Sequence, residues 1–217
     1  MLTYLSMENW NLNNMLTLED SIYFNFYGNS YCQYDASTDI YLIKFEDIVK
    51  HWFDFTEDFK QLLCKILKKN RRTCFSTEDE AFALFCKWFN TSIGEDIVLK
   101  SLQAVDPTYH YYDTAAGYFR IGYDPNCKLH QMPDFINADG HTIELKEVKN
   151  FDDTFHICYR CQTIEQVKKD LFHGADEVYA INEEHTRLAK VDLSTIRIYS
   201  HPDWSYDVVT AKMKEFK

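Results

Sequence analysis

Apolar side chains recur along this 217-residue chain with two different periods, and the switch between them maps its organisation. Aromatic and aliphatic residues alternate from Ser21 to Tyr27 and from Asp39 to Lys44, with Gly28-Asn29-Ser30 as a turn, which predicts strands. Phe45, Ile48, Val49, Trp52 and Phe53, then Phe59, Leu62, Leu63, Ile66 and Leu67, recur at helical spacing and predict helix across 45–70. Ser76-Thr77-Glu78-Asp79-Glu80 combines an N-cap candidate with an acidic first turn, so a helix is expected over Ala81 to Phe89, apolar on most faces. A second helix start follows at Thr91-Ser92, with Glu95 three residues after Ser92 as in a capping box. Ile97, Val98, Leu102 and Val105 form its stripe, and Asp106-Pro107 ends it.

Strand-like segments come next: Tyr118 to Tyr123, Met132 to Ala138 and His141 to Val148. A helix from about Thr163 to Phe172 is closed by Gly174, Glu177 to Ile181 reads as a short strand, and Val191 to Tyr199 as another. The C-terminus from Val208 is expected to be helical. The reading divides the chain into a region 1–90, strand-like then mainly helical, and a region 91–217 that alternates helix and strand, an α/β (α+β) class.

The chemistry concentrates between Pro133 and Lys146. Asp139-Gly140 predicts a two-residue type I′ hairpin turn, because such a turn needs positive φ. Side chains on a strand alternate faces, so Glu144 and Lys146 point the same way, and Asp134 lies on the opposite arm. Two carboxylates and an ammonium on adjacent strands suit a hard divalent cation and a nucleophilic water. The plainer alternative is a surface hairpin with a cross-strand ion pair, which is worth little. Ile143 and Leu145 on one face and Val148 on the other argue instead for a strand covered on both sides, where charge needs compensation. Glu147 and Lys149 offer a shifted register on the opposite face.

Pro133-Asp134, nine residues, then Glu144-Leu145-Lys146 resembles the signature of the PD-(D/E)XK nuclease superfamily. The resemblance extends over about residues 91–185, where the expected order of helix, three strands, helix and strand is that of the superfamily's central mixed sheet flanked by helices, a restriction-endonuclease-like fold. It implies that Asp134 and Glu144 hold Mg²⁺ or Mn²⁺, that the backbone carbonyl of Leu145 adds an oxygen, and that Lys146 holds the attacking water. Mg²⁺ keeps several waters, so two carboxylates suffice. The family often adds an acidic residue from the preceding helix. Glu95 is the best match, with Gly94 allowing a close helix–sheet approach, and a plain capping glutamate is the competing reading. In several branches a Gln approaches the site from the next helix, which nominates Gln162, with Gln166 as the second choice and a solvated helix face as the alternative. Residues 1–90 fall outside the resemblance and are expected to serve substrate selection or dimerisation.

Other features modify this picture. Cys127-X-X-His130 with Cys158-X-X-Cys161 has spacings that suit tetrahedral zinc, against four unrelated residues. Seven cysteines without an export signal read as reduced thiols. No segment is apolar enough to span a bilayer and no signal peptide is visible, so a cytoplasmic protein is expected. Lys68-Lys69-Asn70-Arg71-Arg72 is the only dense basic run: it is either a solvated helix end or a phosphate-contacting patch formed by Lys68, Lys69, Arg71 and Arg72. The tyrosines of Tyr109-His110-Tyr111-Tyr112 can stack on bases or pack.

The net charge of −11 opposes simple, sequence-independent phosphate binding. The expectation is therefore a metal-dependent endonuclease acting on double-stranded or branched DNA, of a restriction, phage or mobile-element type. The alternatives are an inactive nuclease-fold binding protein, an acidic DNA mimic, or an RNA-cleaving toxin.

Overall fold

The computed structural model describes residues 31–35, 40–71, 75–121, 132–160, 163–200 and 206–216. In chain order the elements are β1 (Cys32–Asp35), β2 (Ile40–Lys44), α1 (Phe45–His51), α2 (Glu57–Arg71), α3 (Glu78–Val105), β3 (His110–Tyr111), β4 (Tyr118–Ile121), β5 (Phe135–Ile136), β6 (Thr142–Val148) and β7 (Thr154–Tyr159). Next come α4 (Ile164–Gln166), which runs into a single π turn over Val167–Leu171, then β8 (Glu177–Asn182), β9 (Leu188–Tyr199) and β10 (Asp207–Glu215). The class is mixed α/β, with a large mixed sheet flanked by helices. Among the described residues no helix is long and apolar enough to cross a membrane.

The chain divides into two units, Met1–Asn90 with Gly117–Cys127, and Thr91–Ala116 with Lys128–Lys217. The first holds an antiparallel sheet in the order β1-β2-β4. Its core is a continuous aromatic cluster in which Trp52, Phe55, Phe59, Phe85 and Phe119 are buried with Leu63 and Leu67. The rings meet mostly edge to face, as Phe85 does with Phe119 at 5.2 Å between centroids. This explains a departure from expectation. The strand starting at Tyr118 does not join the site hairpin, because Phe119 is drawn into the aromatic core and β4 pairs with β2.

The second unit is built on a seven-stranded sheet in the order β3-β5-β6-β8-β9-β10-β7. Only β6 and β8 are parallel, and the remaining pairs are antiparallel. The alternation along β6 sorts its apolar residues onto two faces. Ile143 and Leu145 pack with Val98, Phe135 and Ile181, with Leu99 and Leu102 of α3 against them. Val148 packs with Phe155, Val167, Leu171 and Phe172. Both faces of this strand therefore carry apolar residues that pack into a core, with Glu144, Lys146 and Glu147 set among them.

Three further expectations are corrected. The two helices expected on either side of residue 90 are one 28-residue helix, α3. Phe89-Asn90-Thr91-Ser92 contains no proline, and mid-helix polar residues do not stop a helix whose backbone donors are already satisfied. The capping box forms instead at Thr77, whose hydroxyl accepts from the Glu80 N–H at 3.2 Å while the Glu80 carboxylate accepts from the Thr77 N–H. Glu95 is therefore not a capping residue. The C-terminus is strand β10 rather than helix, since Val209 and Ala211 alternate into the core between β7 and β9. The helix expected from Thr163 is a short α4, capped reciprocally by Thr163 and Gln166, with the π turn directly after it. Gln166 is occupied by that cap. Strand β7, which closes the far edge of the sheet, has no counterpart among the expected elements.

Candidate active site

The hairpin between β5 and β6 decides whether two carboxylates can meet. Phe135 faces Ile143, and Ile136 faces Thr142. The Asn137 N–H donates to the His141 carbonyl at 3.1 Å, leaving a loop of Ala138-Asp139-Gly140. Gly140 has φ +82°, and its N–H donates to the Asn137 carbonyl at 3.0 Å. The Asn137 side chain accepts from the N–H groups of Asp139 and His141, so it fastens the turn from within. The expected two-residue turn is thus a three-residue loop with glycine in the left-handed position. The difference is decisive, because a one-residue change of register moves every side chain to the other face. Continuing the observed register sets Asp134 across from Glu144, on the same face. A two-residue turn would have set it across from Leu145.

Strand β5 is only two residues long, so beyond Asp134 the arms of the hairpin diverge. At this fork the Leu145 N–H has no β5 carbonyl opposite it and donates to the Asp134 carboxylate at 2.7 Å. The Asp134 carbonyl accepts from Tyr112 N–H at 2.9 Å, which fixes the backbone at the same point. Glu144 is the most buried charged residue described, with 1% of its surface exposed. One carboxylate oxygen accepts from the Lys146 ammonium, and the other lies 3.1 Å from His173 Nδ1. An ionised carboxylate only accepts, so Nδ1 carries the proton in this contact. His173 stands just after the π turn, at the head of the connection to β8. It was not identified from the sequence, where its one visible mark was its place beside the helix-ending Gly174.

Glu95 lies on α3. Burial, and after it the charges of Asp134, Glu144 and Asp96, pushes its carboxyl up to about 8, with Lys146 acting the other way. Burial and the Glu144 charge push Asp134 up to about 7, opposed by Lys146, the Leu145 N–H and His173. Asp134, Glu144, Lys146 and Glu95 therefore share one electrostatic environment, with the Leu145 backbone inside it. Glu144 is buried and Asp134 and Glu95 are half-buried, so their mutual repulsion needs positive charge nearby, of which Lys146 supplies one.

The opposite face of β6 is simpler. Glu147 Oε2 lies 3.4 Å from His185 Nε2. The His185 ring packs against Gly94 of α3, where a Cβ would stand 3.0 Å from its Cδ2 and Nε2. Gly94 was expected to allow a close helix–sheet approach; what it accommodates instead is the ring of this histidine, which stands in the loop between β8 and β9. Lys149 is exposed, and the partner found for Glu147 on this face is His185.

Among the described residues no three His, Cys, Asp or Glu side chains converge as a metal cage. The donor set at the fork consists of two carboxylates, which fits Mg²⁺ or Mn²⁺ retaining most of their waters and does not fit zinc. Cys158 is exposed on β7, while Cys127, His130 and Cys161 lie outside the described residues. Gln162 and Arg72 also lie outside them, and the side chains of Lys69 and Arg71 are not described. Lys68 is exposed, with its ammonium 4.6 Å from the Phe75 ring centre. Tyr109 is buried and bonds His141 Nδ1 at 2.8 Å, which leaves it no face for a base. No protein-family model, curated protein or solved structure matches this chain significantly.

Proposed function

We propose that this protein is a divalent-cation-dependent nuclease that hydrolyses phosphodiester bonds, with DNA as its substrate. The observation that carries the reading is the fork. Asp134 and Glu144 face each other, Lys146 sits on Glu144, and Glu95 lies within their field. Perturbed carboxylates at a place where a strand pair opens are a functional arrangement, since a fold gains nothing from crowding them. The element order supports the same reading. In chain order α3, β3, β4, β5, β6, β7, α4 and β8 succeed one another; with β4 set aside in the sheet of the first unit and β7 at the far edge of the large sheet, helix, three strands, helix and strand remain, β3 standing where β4 was expected. This is the order that the resemblance to PD-(D/E)XK nucleases implies.

In this mechanism Asp134 and Glu144 would hold the cation, and the Leu145 carbonyl would offer a further oxygen. Mg²⁺ when bound supplies Lewis acidity to the scissile phosphate. Lys146 orients the attacking water and neutralises charge as it builds on the phosphate. Glu95 would add negative potential near the cation without joining its donor set. Asp134→Asn, Glu144→Gln and Lys146→Ala should each lower cleavage of duplex or branched DNA in Mg²⁺ by about two to three orders of magnitude. Circular dichroism should show each variant folded. Full activity in folded Asp134→Asn and Lys146→Ala proteins would end this reading, and a parallel digestion of RNA decides the substrate.

One observation favours a second reading. The cluster already closes on itself, Glu144 through Lys146 and His173, and Asp134 through Leu145. A nuclease fold that binds a partner without catalysis would have this arrangement. It requires that no divalent cation bind the folded protein.

A further inference from the structure

His173 occupies a backbone position that does not suit a histidine. Its φ is +52°, and Gly174 beside it has φ +71°. Two successive left-handed residues favour glycine or asparagine, and a larger side chain there costs about 1 kcal/mol or more. The conformation is imposed by the π turn. The Phe172 N–H reaches back to the Val167 carbonyl at 3.1 Å and the Gly174 N–H to the Lys168 carbonyl at 2.8 Å. Val167, Leu171 and Phe172 anchor that turn in the core. The extra residue of a π turn rotates the next side chains to a new direction, and here it aims an imidazole at Glu144.

We propose that His173 is a positioning residue for the candidate cation site: its Nδ1–H holds one oxygen of Glu144, which keeps the carboxylate turned across the fork toward Asp134. The inference rests on the nuclease reading, because it assigns Glu144 to the cation. Glu144 cannot rely on water for orientation, being 1% exposed, and Lys146 engages only its other oxygen. Without His173 the carboxylate has one restraint rather than two.

The test is Mn²⁺ titration by calorimetry on the full chain, with thermal midpoints recorded alongside. Gly and Asn both accept the backbone of position 173, and only Asn carries a donor near the place of Nδ1. His173→Gly should bind Mn²⁺ about 10- to 100-fold more weakly while still unfolding in a single cooperative transition, so that the folded protein is what is titrated. His173→Asn should stay within about threefold of wild type. Equal Mn²⁺ affinity in His173→Gly and wild type overturns the inference and leaves the nuclease reading standing. His173→Asn falling together with His173→Gly also overturns it, because the donor is then not the cause. A wild-type protein that binds no Mn²⁺ removes both.

Discussion

Strand β6 carries the same device on both faces, and the two copies have different surroundings. On one face Glu144 meets His173, and on the other Glu147 meets His185. Both histidines stand in the left-handed region, at φ +52° and +55°, one before β8 and one after it. Each glutamate therefore meets a histidine from a connection at one end of β8, and β8 is the parallel partner of β6. Around Glu144 the device is joined by Lys146, Asp134 and Glu95. Around Glu147 it meets Gly94, a backbone with no charge to offer. A carboxylate–histidine pair alone is thus a fastener. The first face becomes a candidate active site through the crowding of further carboxylates where the hairpin opens.

Removing each glutamate in turn tests this contrast most directly. Glu144→Ala leaves Lys146 and His173 without their buried counter-charge and should destabilise the protein by about 3 kcal/mol or more. Glu147→Ala removes a pair whose carboxylate is 23% exposed and should cost under about 1 kcal/mol. Equal denaturation midpoints for the two variants would show that the faces do not differ in this respect.

A pH series probes the same difference. Glu95 and Asp134 have folded pKa values of about 8 and about 7, above the 4.5 and 3.8 of the free groups. Groups raised in this way bind protons more tightly when folded, so they favour the fold at low pH and lose that contribution as the pH climbs through those values. The metal-free protein should lose on the order of 2 kcal/mol between about pH 5 and pH 9. Millimolar Mg²⁺ should flatten the profile. A metal-free midpoint that rises over that interval would contradict the crowding argument.

The third effect is smaller and lies on the plain face. Gly94→Ala drives a methyl group into the His185 ring and should cost about 1–2 kcal/mol. His185→Ala opens that space, so the double variant should be more stable than the sum of the single effects by about 0.5 kcal/mol or more. Strict additivity would show that Gly94 and His185 do not communicate.

Much of the site was legible in the linear chain. The alternation of Ile143 and Leu145 against Glu144 and Lys146 marked a strand, and Asp139-Gly140 marked its hairpin. The register was not legible. A glycine in a turn reports positive φ, but whether two or three residues close the loop depends on Asn137 folding its side chain onto the turn. That single residue of slip places Asp134 with Glu144 rather than across from Leu145. Glu95, which the resemblance nominated, lies within the field of Asp134 and Glu144, and the continuous α3 removes its competing role as a cap. His173 left almost no mark, because nothing local distinguishes a histidine at a helix end from one that reaches a glutamate 29 residues earlier.

Local preferences along the chain settle the periodicities, the covered strand β6 and the glycine turn, since these depend on allowed φ and on which side chains avoid water. Packing between distant segments decides three other things: that β4 leaves for an aromatic core, that β7 and β10 close the sheet, and that Asp134 and Lys146 gather at Glu144 with Glu95 in their field while Glu147 has a single histidine. The energies behind those choices come from mutual burial and charge, which no single segment carries.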